Sequence, residues 1–302
     1  MSESPRLSIV IASLDPGQVI FECLTALEHQ RSAEVEVLVV DASADDTANR
    51  VREQFPWARV IDEKSARSLP RLRGIGIAES LAPVVGILDA WCIVNSEWIH
   101  EASRIHESRP EPAAGGSVEL TPSERGSMSA WASYLFDYWE FVRPIPEGST
   151  RVLAGNNIVY KRSALPTAAQ LRTAGFWKAF ANAQLKSEGH GLWSSDRLSI
   201  EIRRRIPITG FLRSRYHHGR SYAAMRVASS AWDTRIKRAA ISPALPLLFM
   251  ARQIRGLANK PEARKWFVVS SPLLLAFHIS WALGELHGYL AGPGSSHDAI
   301  RS

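Results

Sequence analysis

The sequence predicts an α/β fold, a mostly parallel sheet with flanking helices, followed by a C-terminal apolar helical tail. In the first 95 residues, short runs of Val, Ile and Leu alternate with stretches whose apolar residues recur at helical spacing. Near the other end, residues 266–283 form an 18-residue stretch without charge. Strands that alternate with helices over short connections pair in parallel through right-handed crossovers, so the front of the chain is expected to form such a sheet.

Four segments have the composition of strands buried on both faces. They span residues 7–13, 35–43, 58–63 and 83–90. In open α/β sheets ligands bind outside the carboxyl ends of the strands. The polar residues at these ends are therefore the candidate binding residues, namely Ser13, Asp15, Asp41, Ser43 and Asp89.

Helices are predicted in the connections between these strands and in the second half of the chain. The apolar spacing and the polar residues that start or stop a helix indicate these segments. They cover residues 19–29, 48–55, 69–80, 129–143, 175–192 (closed by Gly189) and 242–260. Residues 197–226 are predicted to form a strand followed by a basic segment. No Gly-x-Gly-x-x-Gly follows the first strand, so a dinucleotide-binding fold is not expected.

Charge is distributed unevenly along the chain. Residues 1–120 carry 11 basic and 19 acidic residues, a net charge of −8, whereas residues 121–302 carry 25 and 11, a net charge of +14. This basic half favours an anionic partner, such as a phosphate-bearing lipid, a membrane surface or a nucleic acid. The two cysteines, Cys23 and Cys92, are too few for a disulfide framework or a thiolate metal cage.

The apolar tail predicts contact with a membrane. At 18 residues, the uncharged stretch 266–283 is at the lower limit for spanning a bilayer. An interfacial or re-entrant helix pair anchored by Trp266 and Trp281 is an equal alternative, and a buried helical hairpin is a third. The N-terminal residues lack a secretory signal, so we expect a cytoplasmic protein held at the inner face of the cell membrane by this tail.

Five segments occur in a characteristic order within roughly residues 5–220: LSIVIAS, VLVVDASADDT, RLRGIGIA, VGILDA and LAGNNIVYKRSAL. This ordered set resembles the inverting family 2 glycosyltransferases of GT-A fold. The tail, which ends in GELHGYLAGPG, is similar to the membrane-associated segment of some members. The resemblance implies a GT-A-like nucleotide-sugar domain at 1–225 and a helical membrane-associated tail at 226–302.

The resemblance also implies an activity and a set of site residues. A sugar would pass from a nucleotide-diphosphate donor to a glycan or lipid-linked acceptor with inversion. Ser13, Asp41 and Arg71 would bind the nucleotide. Asp89, the first carboxylate of an Asp-x-Asp motif, would bind the donor through a divalent cation, Mg²⁺ or Mn²⁺, with His217 or its neighbour as a further metal or phosphate ligand.

Two positions depart from the family pattern. The motif reads Asp89-Ala90-Trp91, so Trp91 replaces its second carboxylate. The family's catalytic base falls, counting back from Gly189, on Trp177 and Lys178. The base is therefore unassigned; Asp137 and Glu140 are substitutes on spacing alone, and Lys178 is a candidate partner for the donor diphosphate.

Less specific interpretations remain open for several of these residues. Asp41 and Asp89 are also suited to capping turns at strand ends, and Arg71 and Arg73 to a solvated surface. Asn156-Asn157 fits a structural turn, and Arg203–Arg205 either a solvated face or a contact with anionic lipid. For the whole chain, the alternative is a catalytically inactive relative that binds a nucleotide sugar or acts as a partner subunit in glycan assembly. Nucleic-acid binding is disfavoured because no recognised motif accompanies the basic residues.

Overall fold

The computed structural model describes residues 4–66, 68–203 and 207–296 and divides the chain into two compact units. The first unit consists of Met1–Glu119 and Arg143–Arg203, and the second of Leu120–Val142 and Arg204–Ser302. The second unit thus contains more than the predicted tail, since it also takes residues 120–142 and the basic segment before residue 226.

One sheet makes up most of the first unit. Its strands in the described residues are β1 Leu7–Ser13, β2 Val35–Asp41, β3 Arg59–Asp62, β4 Val84–Asp89, β5 Cys92–Val94, β6 Ala113–Leu120, β7 Gly148–Thr150, β8 Asn157–Lys161 and β9 Leu192–Ile202. The strand order is β3-β2-β1-β4-β8-β6-β9-β5, and β7 also pairs with β9. The pairs β2–β3, β1–β2 and β1–β4 are parallel, as predicted. Antiparallel pairs, β4–β8 among them, extend this parallel part into a mixed sheet.

Helices flank the sheet. Those of the first unit are α1 Val19–Glu28, α2 Thr47–Gln54, α3 Leu69–Glu79, α4 Trp98–Ser108, α6 Ala168–Ala174 and α7 Lys178–Ser187. All seven residues of β1 are buried, because helices cover both faces of this central strand. The approach of α3 is especially close: a Cβ on Gly76 would lie 2.3 Å from Cγ1 of Val10. Only glycine permits helix and sheet to pack at this distance.

The second unit is helical. Its helices are α5 Met128–Tyr138, α8 Ile208–Arg226, α9 Trp232–Ile241, α10 Leu245–Gly256 and α11 Pro261–Ala291. The longest of them, α11, packs against α8 through small residues: a Cβ on Gly284 would lie 2.1 Å from the carbonyl oxygen of Tyr216, and one on Gly288 2.3 Å from that of Arg220. The basic segment predicted after β9 is therefore a helix of this bundle.

The apolar stretch 266–283 lies within α11, which has 31 residues. This helix is long and apolar enough to cross a membrane, and 39% of its most apolar window is buried by the rest of the protein. Trp266 stacks on Trp131 at 5.7 Å, and Phe277 lies 4.5 Å from Phe211, ring centre to ring centre. One side of α11 is thus packed against α5 and α8, while Val268 on another side is 66% exposed.

Candidate active site

Asp41 is a buried carboxylate at the carboxyl end of β2. Its side chain is inaccessible to solvent, and Oδ1 accepts hydrogen bonds from Oγ of Ser13 at 2.5 Å and Oγ of Ser43 at 2.7 Å. Ser13 ends the neighbouring strand β1 and is the register partner of Asp41. Among the described residues, Oδ2 accepts one hydrogen bond, from the backbone N of Ser43 at 3.2 Å. Two predicted binding residues, Ser13 and Asp41, are therefore in direct contact.

The loops that follow β1 and β2 are joined to each other. The backbone N of Asp15 donates to Oγ of Ser43 at 3.0 Å, and the backbone N of Ala44 donates to Oδ1 of Asp15 at 3.0 Å. Asp15 adopts a φ of 48°, in the left-handed region that aspartate tolerates better than most residues. Lys64, after β3, donates to the carbonyl oxygen of Ser43 at 2.5 Å. These contacts form a polar rim beside Asp41.

Asp89 ends β4, on the other side of β1 from Asp41. Its register partner on β1 is Ala12, one residue before Ser13. With strands spaced by about 4.8 Å, the backbones of Asp41 and Asp89 are roughly 10 Å apart. The two aspartates predicted to bind a nucleotide thus lie at one edge of the sheet, at a separation comparable to that between the base and the diphosphate of a nucleotide.

Arg73 forms a buried ion pair with Asp89. Its Nη2 lies 2.5 Å and its Nε 3.1 Å from Oδ1 of Asp89. The side chains are only 11% and 5% exposed. Removal of either side chain would leave the other buried without this partner, so that less of the cost of its lost hydration is compensated.

Lys178 brings a second cation to the same carboxylate. Its Nζ lies 3.6 Å from Oδ1 of Asp89 and has no hydrogen-bond partner among the described residues. Lys178 is 9% exposed and is the first residue of α7. Burial, and then the positive charge of Arg73, lower the pKa of Lys178 to about 7, against the opposing effect of Asp89.

Contacts of the backbone bring Arg73 and Lys178 together. The backbone N of Phe176 donates to the carbonyl oxygen of Pro70 at 2.7 Å, which joins the segment before α7 to the first turn of α3. Gly175 makes this approach possible, because it has a φ of 70° and a Cβ there would lie 2.8 Å from the same oxygen. Phe176 is buried against Tyr160, edge to face at 5.6 Å.

Arg71, which the resemblance assigns to the nucleotide, is exposed on α3, whereas Arg73 reaches the site. Two residues apart on a helix point in nearly opposite directions. The signal was present in the sequence: Leu69, Leu72, Gly76 and Ile77 are buried, and Arg73 falls on their face of the helix. A solvated surface is one interpretation of Arg73 from the sequence, whereas the structure buries this side chain.

Asp89 does not suit a divalent cation in this arrangement. The second motif position is the buried Trp91, and Asp89 is already surrounded by Arg73 and Lys178. Mg²⁺ and Mn²⁺ require several oxygen ligands. Within the described ranges, no group of three or more His, Cys, Asp and Glu side chains is arranged to hold a metal ion.

Most of the other candidate residues belong to the second unit or are outside the described ranges. His217 lies on α8, with Nδ1 3.0 Å from Oγ of Ser296, and burial, Arg213 and Arg220 lower its pKa. Asp137, proposed on spacing as a substitute base, pairs with Arg215, whose Nη1 lies 2.5 Å from Oδ1. Of the remaining candidates, His218 contacts Arg215, and Glu140 is exposed. Arg203 forms an ion pair with Glu22. Arg204 and Arg205 lie outside the described residues.

The Asn156-Asn157 turn has structural contacts. Asn157 donates from Nδ2 to the carbonyl oxygens of Ser117 at 3.1 Å and Leu198 at 2.6 Å, and its Oδ1 accepts from Nε1 of Trp98 at 2.8 Å. It is fully buried between β6 and β9. This side chain therefore joins β8 to β6, β9 and α4.

A cavity of about 830 Å³ lies at the opposite edge of the sheet, where the parallel strands begin. Its lining includes Leu7, Val35 and Val84, the first residues of three strands, and His106. This edge is remote from the aspartates, so the cavity's size does not identify it as the site. The carboxyl edge instead holds the buried charged side chains of Asp41, Arg73, Asp89 and Lys178.

Comparison with known proteins assigns the family. Residues 8–167 match the model of the family described as glycosyl transferase family 2. The chain belongs to this family. Its glycosyltransferase classification agrees with the resemblance of the five sequence segments and with the grouping of Asp41 and Asp89 at the carboxyl edge.

Individual relatives of this family 2 glycosyltransferase are distant. The glycosyltransferase AglE of Haloferax volcanii is 26% identical over 134 residues, which cover 42% of this chain and 44% of that protein. The chain thus aligns with less than half the length of this curated relative.

Solved structures confirm the GT-A fold. The mannosyltransferase PcManGT of Pyrobaculum calidifontis, solved with GDP-Man and Mn²⁺, superimposes with a TM-score of 0.57 at 17% identity, over 94% of this chain and 88% of that one. GalNAc-T7, solved with UDP, GalNAc and Mn²⁺, gives 0.50 at 13% identity, over 68% and 45% of the two chains. At these identities the likeness concerns the fold alone.

Proposed function

We propose that this family 2 glycosyltransferase transfers a sugar from a nucleotide-diphosphate donor to a glycan or lipid-linked acceptor, with inversion at the anomeric carbon. The observation that supports it most is the pair of buried aspartates, Asp41 and Asp89, on either side of β1 at the carboxyl edge. A purely structural edge has no need of two carboxylates supported by Ser13, Ser43 and buried cations.

In this proposal the two aspartates serve different parts of the donor. The base lies beside Asp41, whose Oδ2 has a lone pair available for a base N–H, and the hydroxyl of Ser13 holds the other carboxylate oxygen in place. The diphosphate lies at the end of β4, near Asp89. The acceptor oxygen bonds to the anomeric carbon as the bond from that carbon to the diphosphate oxygen breaks; the nucleoside diphosphate leaves and the acceptor proton passes to water.

The second unit supplies the proposed membrane contact, on the cytoplasmic face. Large apolar side chains are exposed on three of its helices, including Trp232 at 55%, Leu247 at 71% and Val268 at 66%. Basic residues lie along the same helices: Arg235, Lys237, Arg238, Arg252, Arg255, Arg264 and Lys265. Exposed apolar residues next to cations suit a bilayer with anionic headgroups. Such a surface is consistent with an acceptor that is itself lipid-linked.

A second candidate function is a catalytically inactive relative that binds a nucleotide sugar or serves as a partner subunit in glycan assembly. The observation that favours it is the occupant of the family's base position, where Lys178 is a buried cation paired with Asp89 rather than a carboxylate. The family's base position thus holds no carboxylate to take the proton of the acceptor hydroxyl.

A transfer experiment separates the two functions. The purified protein is incubated with nucleotide sugars and with lipid extracted from membranes, and release of the nucleoside diphosphate is followed by chromatography. The proposed activity predicts lipid-dependent release and a product whose anomeric configuration, measured by NMR, is opposite to that of the donor. Donor that binds but is recovered intact would contradict catalysis and support the inactive relative.

A further inference from the structure

We infer that the ammonium of Lys178 and the guanidinium of Arg73 take the place of the divalent cation at Asp89, so that this protein binds the donor diphosphate without metal. The inference rests on the proposed function, since it concerns the diphosphate end of the same nucleotide site.

The first argument is the state of the motif carboxylate. In a metal-dependent site the carboxylate faces the cation with free oxygen lone pairs. Here Oδ1 of Asp89 lies 2.5 Å from Nη2 of Arg73 and 3.6 Å from Nζ of Lys178. A divalent cation at this oxygen would meet two positive groups within a few ångströms and one carboxylate, which is an unfavourable environment for it.

The second argument is the net charge of the three side chains that meet at Asp89. One carboxylate compensates one of the two cations, so the group of Arg73, Asp89 and Lys178 can carry an excess positive charge. A bound diphosphate supplies the opposite charge, and it is the ligand that a metal would otherwise bring to this position. The group therefore neutralises the leaving nucleotide directly, through charge-assisted hydrogen bonds.

The third argument is the position of Lys178 at a helix N-terminus. Lys178 is the first residue of α7, a helix of ten residues, and its side chain is only 9% exposed. Its Nζ is buried and has no hydrogen-bond partner among the described residues, so its donors are unsatisfied without a ligand. The dipole of this helix adds partial positive charge at its N-terminus, where a phosphate oxygen would bind.

The glycine before the Asn156-Asn157 turn lies next to this amine. A Cβ built on Gly155 would lie 3.5 Å from Cε and 3.9 Å from Nζ of Lys178. At these distances a Cβ would already be in van der Waals contact with the lysine side chain. A glycine in this position is consistent with a ligand that approaches the backbone closely.

Calorimetric titration with nucleoside diphosphates tests the inference. Each titration is run with Mn²⁺ and again with EDTA, on the wild type, on K178M and on K186M. Lys186 lies on the same helix, is exposed and controls for the loss of one positive charge. The expected result is equal affinity with Mn²⁺ and with EDTA for the wild type and K186M, and a loss of roughly 10- to 100-fold for K178M, the effect of a charge-assisted hydrogen bond.

Two further probes keep the outcomes distinct. The free nucleoside should bind the wild type and K178M alike, since it has no phosphate, and inorganic pyrophosphate should bind the wild type in EDTA and K178M more weakly. Nucleotide binding that requires Mn²⁺ would overturn the inference while leaving the nucleotide site in place. No binding of any nucleotide to folded protein, with or without metal, would overturn the proposed function and this inference together.

Discussion

Arg73 and Asp89 form a buried ion pair at the carboxyl edge of the sheet, with Nη2 of the arginine 2.5 Å from Oδ1 of the aspartate. The pair joins α3 to the end of β4 and is packed beside Lys178. The ion pair therefore contributes to the stability of the first unit and also forms part of its candidate site.

We predict that Arg73→Met lowers the free energy of unfolding by about 3 kcal/mol, because it leaves Asp89 buried with a weaker partner. The double variant Arg73→Met/Asp89→Leu should be more stable than the sum of the two single changes implies, since neither charge remains unpaired. Denaturant unfolding of the three variants measures this coupling. Additive effects would show that the two side chains do not interact in solution.

Asn157 should be required for folding stability. Replacement by alanine leaves Nε1 of Trp98 and the carbonyl oxygens of Ser117 and Leu198 without their partner, so we expect a loss of about 3 kcal/mol. Denaturant unfolding measures the loss. The same substitution at the exposed Asn259 is the control and should change stability by less than about 0.5 kcal/mol. Equal stability of the two variants would contradict the structural role of Asn157.

His106 predicts a pH dependence of stability. Burial, and then Lys161, lower its pKa from the usual 6.5 to about 4. The unfolded chain therefore binds a proton that the folded protein does not between these values, so stability falls as the pH drops from 6.5 towards 4. From pH 7.5 to pH 5 this one group accounts for about 2 kcal/mol.

The His106 contribution is measured as a difference between variants. His106→Gln retains a donor for the carbonyl oxygen of Val159, which Nε2 of His106 contacts at 3.2 Å. The variant should lose less stability than the wild type over this pH interval, whereas His190→Gln, an exposed control, should follow the wild type. Parallel curves for all three proteins would show that His106 is not buried in its neutral form.

Binding to vesicles tests the membrane contact proposed for the second unit. The double variant Leu247→Gln/Val268→Gln should bind vesicles of anionic lipid roughly 100-fold more weakly than the wild type, the effect of two apolar side chains that the bilayer no longer buries; co-sedimentation measures this. Leu81→Gln is the matched control, since Leu81 is 69% exposed but lies in the first unit. Equal loss in the control, or equal binding to neutral vesicles, would contradict the proposed surface.

Much of the parallel part of the sheet could be predicted because its signals are local. The apolar runs of β1 to β4 and the helices between them have the expected bounds to within about two residues. The parallel topology then places Asp41 and Asp89 at one edge without further information.

Non-local contacts were not predictable in the same way. The strands β5 and β7 have three residues each, too few for a periodic signal, and their pairing with β9 is decided by packing. Likewise, α5 belongs to the second unit through contacts such as that of Trp131 with Trp266, which lies far along the chain. At the site, Lys178 meets Asp89 only because the Phe176–Pro70 hydrogen bond brings α7 to α3.

The most direct test of the central claim is calorimetric titration of wild type, Asp41→Asn and Asp62→Asn with a panel of nucleoside diphosphates. Asp62 ends the neighbouring strand β3 as the register partner of Asp41, but it is exposed, so it is a matched control. The account predicts micromolar binding of one nucleotide to the wild type and to Asp62→Asn, and its loss in Asp41→Asn. No binding across the panel, or binding that persists in folded Asp41→Asn, would contradict a donor site at this edge of the sheet.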